Sequence, residues 1–147
     1  MKKLVLALVC TLSLNSFSQT HINRISKRTA GLITCVNEEQ IDMQTQDTNF
    51  LITLSFQNTS YQYIIDSKFI FVNSEDGIKD LIEKLGFAIE WVDYRKADWR
   101  CSFNTTSISV HAGRSKVYLS SGGGQTWMKK SHVIKLITWL EEQLNNI

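Results

Sequence analysis

The sequence predicts an α+β domain, built mainly from antiparallel β-sheet with two amphipathic helices. Short runs of β-branched and aromatic residues alternate with polar ones, as in strands that have one buried face. Two later segments instead repeat apolar residues at helical spacing. Because each helical segment follows a block of strands, the order favours antiparallel sheet over a parallel sheet with alternating helices.

Residues 1–18 are predicted to be a cleaved secretory signal of bacterial type. Two lysines precede an apolar run at residues 4–14, which is shorter than the roughly 20 residues that span a bilayer. A Ser-Phe-Ser sequence then supplies small residues before the cut, so the mature chain is expected to begin at Gln19. We therefore expect an exported protein, periplasmic or secreted, without a transmembrane segment in the mature chain.

The charge balance bears on possible partners. The chain has 16 Lys and Arg against 14 Asp and Glu, and loss of the two signal lysines leaves equal numbers. A neutral mature chain argues against nucleic acid as a partner, because phosphate binding needs a basic excess or stripe. The one basic cluster lies in residues 19–30, which are predicted to be a flexible, solvated tail. Residues 31–147 are then expected to form a single domain.

Strand patterns dominate the first half of that domain. In residues 50–57, one face of the predicted strand carries Phe50, Ile52, Leu54 and Phe56. The other predicted strands of this half cover residues 31–36, 41–46, 61–66 and 68–72, with a polar turn at 37–40. Together they predict an antiparallel meander.

A helix is predicted next, capped by Asn73 or Ser74. Its apolar stripe comprises Ile78, Leu81, Ile82, Leu85, Ile89 and Val92. Gly86 is a possible end point. Since the stripe continues beyond it, we favour a helix that runs to about Tyr94, at a cost of about 1 kcal/mol for the internal glycine.

The second half repeats this order. Strands are predicted at 98–103, 106–112 and 116–120, and a final helix at about 130–145, with Val133, Leu136, Ile137, Leu140 and Leu144 on one face. Both helices contain the pattern LIxxL, at residues 81–85 and 136–140. This offset of 55 positions suggests the hypothesis of two related strand–hairpin–helix halves.

Three glycines at 122–124 raise the alternative of a phosphate-binding loop. They fit neither GxxxxGK[ST] nor GxGxxG, and a strand-like Gln-Thr-Trp-Met sequence separates them from the helix. A hairpin tip with positive φ explains them better. No cofactor is predicted.

Two cysteines, Cys35 and Cys101, remain after the signal is removed. An even number in an oxidising compartment predicts a disulfide between them, the alternative being two separately buried thiols. No CxxC pair or metal-ligand spacing occurs, and none of the three histidines lies in an HxH or HxxxH pattern, so no metal site is expected. Asn58 and Asn104 fit the glycosylation pattern.

Aromatic residues give the only hint of a binding surface. Trp91, Trp99 and Trp139 are the candidates, because Trp91 and Trp139 fall outside the apolar stripes of their helices. Partial burial at the edges of sheet and helix is the alternative. We expect a binding domain for an unknown protein, peptide or small ligand. The alternatives are a hydrolase whose site gathers sequence-distant residues such as His111, and a structural accessory of an envelope assembly.

Overall fold

A computed structural model describes residues 20–60, 65–94, 101–104, 109–113 and 115–147, with the backbone alone described at 93–94 and 101–104. These residues form eight strands and two helices. In chain order they are β1 (Thr20–Ala30), β2 (Ile33–Asp42), β3 (Thr48–Gln57), β4 (Ser67–Val72), α1 (Glu75–Tyr94), β5 (Cys101–Asn104), β6 (Ser109–Ala112), β7 (Val117–Ser121), β8 (Gly124–Met128) and α2 (Lys130–Leu144).

The strands form two antiparallel four-stranded sheets, each in simple chain order. The first sheet has the order β1-β2-β3-β4 and the second has the order β5-β6-β7-β8. The predicted α+β class is therefore confirmed, and each half is a meander followed by a helix. The offset of 55 positions relates the helix starts, Glu75 and Lys130. It also carries β4 onto residues 122–127, which overlap β8, but it does not carry β3 onto β7, because residues 58–66 connect β3 to β4 whereas Gly122 and Gly123 alone connect β7 to β8.

Each helix packs on the sheet of the other half. Helix α1 contacts β5, β6 and β7, while α2 contacts β1 and also β8, and the two helices contact each other. The buried apolar residues form one continuous core across both halves. Its largest fully buried side chains are Trp139, Ile33, Ile52, Leu54, Ile70, Ile78, Leu81, Leu85, Leu119, Met128, Leu136 and Leu140.

The basic tail expected at 19–30 is instead a strand, which corrects the prediction. Residues 20–30 pair with β2 along their whole length, apart from one irregularity between Arg24 and Ser26. Two ion pairs bind its charged side chains, Arg24 to Glu38 at 3.3 Å and Arg28 to Glu142 at 3.1 Å. The basic residues thus lie on an ordered edge strand, and two of them, Arg24 and Arg28, have acidic partners on β2 and α2.

The turn expected at 37–40 is also wrong. Strand β2 continues through these residues because they pair on both sides, with β1 and with β3. The chain turns later, where the Asp42 carboxylate accepts the backbone N–H of Gln44 at 2.8 Å. Of the strand predicted at 61–66, residues 61–64 lie outside the described residues, and Ile65 and Asp66 are not part of a strand.

Both helices match their predicted extents closely. Helix α1 runs through Gly86, and the Ser74 hydroxyl caps it by accepting the Gly77 N–H at 3.1 Å. Helix α2 begins after Lys129, which makes no side-chain cap. Its buried face is wider than the predicted stripe: Val133, Leu136 and Leu140 are joined by Trp139 and Gln143.

The three glycines form the predicted hairpin tip. Gly122 and Gly123 have φ of 55° and 75°, and Gly124 begins β8. A two-residue turn with both φ values positive matches the twist of the flanking strands.

We predict opposite effects of alanine at the turn and in the helix. Gly122→Ala and Gly123→Ala should each lower the free energy of unfolding by about 1 kcal/mol, because an L residue is strained at positive φ. Gly86→Ala should raise it by about 0.5–1 kcal/mol. A Cβ at any of these positions meets no atom within 4 Å, so the comparison isolates backbone conformation. Urea unfolding checks the signs, and a destabilising Gly86→Ala would contradict the argument.

Candidate functional site

Two of the three candidate tryptophans, Trp91 and Trp139, lie among the described residues. Trp139 is 1% exposed and belongs to the core, which corrects the expectation of an exposed ring. The reason is the position of α2, which contacts α1, β1 and β8 and therefore buries more than one stripe. Trp91 packs against the core and is partly buried, and its Nε1 has no hydrogen-bond partner among the described residues. Trp99 lies outside the described residues.

Cys35 is a free, buried thiol in the structure. The disulfide predicted between Cys35 and Cys101 is therefore not seen among the described residues, which do not include the side chain of Cys101. The two cysteines belong to different sheets: β2 is an interior strand of the first, and β5 is an edge strand of the second. Burial raises the pKa of the Cys35 thiol to about 12, and the nearby Arg28 opposes this shift.

His111 lies on the outer face of the second sheet, beside a serine that the sequence did not associate with it. Its Nε2 is 3.1 Å from the Ser120 Oγ, and Ser120 Oγ is 3.4 Å from the Ser109 carbonyl oxygen. Strand register explains the pairing, because His111 is opposite Tyr118 and Ser109 is opposite Ser120. His111 and Ser120 are therefore diagonal neighbours on one face.

This face contains a cleft of about 300 Å³, which we call the second-sheet cleft, lined by His111, Ala112, Tyr118 and Gln125. Tyr118 is opposite Trp127 across β7 and β8, and Ser120 is opposite Gln125. Their arrangement follows from strand alternation: the intervening residues, such as Leu119, are buried in the core.

Lys116 covers one side of the neighbouring Trp127. Its Nζ lies 3.6 Å from the centroid of the Trp127 ring, a cation–π contact. The indole is thereby held beside Tyr118 on a rigid hairpin. The lining residues that the structure describes carry no formal charge when His111 is neutral.

A buried asparagine fixes the rim of this cleft to the first sheet. Asn58 is 0% exposed, and its Oδ1 accepts the backbone N–H groups of Ser60 and Gln125, both at 3.1 Å. Its Nδ2 donates to Asp66 at 2.8 Å. This hydrogen bond, with a second from Lys68, lowers the pKa of the Asp66 carboxyl. Because Asn58 is fully buried, the glycosylation pattern there is closed to modification in the folded chain.

The first sheet presents two exposed phenylalanines that sequence reasoning did not single out. Phe69 and Phe71 are 53% and 58% exposed, and their rings stack with centroids 6.4 Å apart and an interplanar angle of 11°. They alternate with the buried Ile70 and Val72. The sequence signal for this exposed pair was a strand with apolar residues at both odd and even positions. Only one face of this strand packs on the core, so the apolar residues of its other face are exposed.

The described residues contain no group of three or more His, Cys, Asp or Glu side chains placed to hold a metal ion. Within the same residues, neither helix has the length and apolar character that crossing a membrane requires. No family model, curated protein or solved structure matches the chain.

We predict that Cys35 is unreactive in the folded protein. At pH 8 its raised pKa and its burial should make alkylation by iodoacetamide much slower than for an exposed cysteine, and denaturation should restore ordinary reactivity. Peptide mass spectrometry of protein denatured without reductant should find Cys35 alkylated. A Cys35 that is alkylated only after reduction would instead support the disulfide, with the reduced sample as the control.

Proposed function

We propose that the protein is an exported binding domain that takes a small, neutral, hydroxyl-rich ligand, such as a sugar, in the second-sheet cleft. The observation that carries the proposal is the chemistry of the lining. His111, Tyr118 and Gln125 supply hydrogen-bond donors and acceptors, the described lining residues include no Asp, Glu, Lys or Arg, and Tyr118 adds an aromatic ring. Small-molecule sites combine apolar surface with a few polar groups in this way.

The size of the cleft supports a ligand of this class. Its 300 Å³ correspond to about ten waters at about 30 Å³ each, which suits a ligand of one or two sugar rings. The cleft also lies on strands whose opposite faces are buried in the core. A ligand therefore meets side chains whose positions are already fixed, which reduces the entropy lost on binding.

Export is the part of this proposal that depends on residues 1–18. We predict that the exported form begins at Gln19, because the small serines before it suit signal cleavage. Intact-mass measurement of protein recovered from the periplasm or medium of a bacterial host checks this. Protein from those fractions that still carries Met1 would show that this segment is not cleaved.

Binding should depend on the cleft and not on the exposed phenylalanines. A panel of neutral mono- and disaccharides, measured by calorimetry or NMR titration, should include ligands whose affinity falls about three- to tenfold in Tyr118→Phe, which removes one hydroxyl group. Gln125→Ala should have a similar effect, because its side chain lines the cleft while only its backbone joins Asn58 and Thr59.

Phe71→Ala is the matched control, because it removes an exposed aromatic ring from the first sheet and should leave affinity unchanged. Binding that Phe71→Ala abolishes and Tyr118→Phe preserves would contradict the proposed site. Absence of binding across the whole panel would contradict the ligand class.

The hydrogen bond between His111 and Ser120 favours hydrolysis as a second candidate function. A serine hydroxyl within 3.1 Å of an imidazole nitrogen is the pairing that a base-activated nucleophile needs. Against it, Ser120 Oγ is also placed to donate to the Ser109 carbonyl, and a proton held there is not available to His111. Turnover of ester or amide probes that is lost in Ser120→Ala, with sugar binding absent, would favour this function.

A further inference from the structure

A second cleft, of about 200 Å³, lies on the inner side of the first sheet near the end of α2. We call it the inner cleft. Its lining includes Asn37 and Glu39 from β2, Phe50 from β3 and Asn146 after α2. It shares no described lining residue with the second-sheet cleft, so the two can be tested separately.

Asn37, one of the residues that line this cleft, carries an acceptor without a partner. The residue is 1% exposed, and its buried Oδ1 has no hydrogen-bond partner among the described residues. The amide orientation follows from its neighbour Gln143, whose Nε2 donates to the Trp139 carbonyl at 3.4 Å. Gln143 Oε1 consequently accepts from Asn37 Nδ2 at 3.0 Å and from Ser26 Oγ at 2.8 Å. The remaining Asn37 oxygen is left with an unmet need for a donor.

The charges around the inner cleft also favour a donor. Glu39 is the only charged side chain among the lining residues that the structure describes. The carbonyl end of α2 lies beside Asn146 and has no basic residue in its last turn, so its partial negative charge is not compensated there. Two of the cations on β1 form ion pairs with other carboxylates, Arg24 with Glu38 and Arg28 with Glu142.

We propose that the inner cleft binds the primary ammonium group of a small amine. The ammonium is balanced by the Glu39 carboxylate and donates to Asn37 Oδ1, which is enclosed in the unbound protein and becomes accessible when the Asn37 side chain shifts on binding. A short apolar chain lies against Phe50 and the half-exposed Ile25 and Ile147. Binding gives the buried oxygen the donor that folding did not supply. The volume corresponds to six or seven waters at about 30 Å³ each, which accommodates n-butylammonium.

The test is an NMR titration of the mature protein with n-butylammonium, butyrate and 1-butanol, which share a chain and differ in charge. We expect n-butylammonium to bind with a Kd in the millimolar range and to shift the side-chain amide of Asn37 and the backbone amides of Glu39 and Asn146. Butyrate should bind at least about tenfold more weakly, because its charge repels Glu39. Equal or tighter binding of butyrate, or no shift with any probe, would overturn the proposal.

Two carboxylates on β2 provide a matched pair of variants. Glu39→Gln keeps the shape and removes the charge, and should weaken n-butylammonium binding about tenfold. Glu38→Gln removes a neighbouring charge that pairs with Arg24 outside the cleft, and should leave the affinity within about twofold. Equal effects of the two variants would overturn the site. Tyr118→Phe should not change amine binding, so failure of the sugar proposal would not by itself remove this one.

Discussion

The fold depends on one packing constraint: each four-stranded sheet has an apolar face that the helix of the other half helps to cover. Helix α1 contacts the second sheet through β5, β6 and β7, and α2 contacts the first sheet at β1. Contact between the helices then joins their buried faces, so that Leu85 and Trp139 belong to the same core. A half-chain alone would expose both its sheet and its helix, and one cooperative domain is the stable solution.

This constraint determines which surfaces are available for binding. Because both helices lie on the inner faces, the outer faces present every second residue of each strand without a packing role. On the second sheet these residues include His111, Tyr118 and Ser120, and their positions are fixed by buried neighbours such as Leu119. Asn58 adds a second fixed point, since its hydrogen bond to the Gln125 backbone ties the hairpin to the first sheet. The positions of the residues that line the proposed cleft therefore depend on packing elsewhere.

Local periodicity made much of the fold predictable. The helix through Gly86, the glycine hairpin and the apolar face of β3 each follow from a pattern within a few residues. Strand β1 did not follow, because its own residues are polar and its partners are acidic residues on β2 and α2, as in the contact of Arg28 with Glu142. The burial of Trp139 likewise depends on which sheet its helix covers, and residue spacing within the helix does not encode this.

The candidate sites show the same limit, since each depends on strand register. Ser120 meets His111 only because β6 and β7 pair as they do, and no motif in either strand marks the contact. Asn37 falls in a stretch that reads as a polar turn, yet it lies in a strand and bonds to Gln143 from the other end of the chain. The sequence shows which residues are polar, but only the pairing of the strands shows which of them face one another.

The buried hydrogen bond between Asn37 and Gln143 is difficult to explain by its contribution to the stability of the fold. Replacing both partners of a buried hydrogen bond by apolar groups of similar shape is often nearly neutral, and an unpartnered buried oxygen costs about 1–3 kcal/mol. Asn37 Oδ1 carries that cost without a compensating bond among the described residues. Apolar side chains at both positions would remove it and extend the core that Trp139 and Leu140 already form beside Gln143. In the proposal for the inner cleft, a ligand with a donor supplies the bond that Asn37 Oδ1 lacks among the described residues.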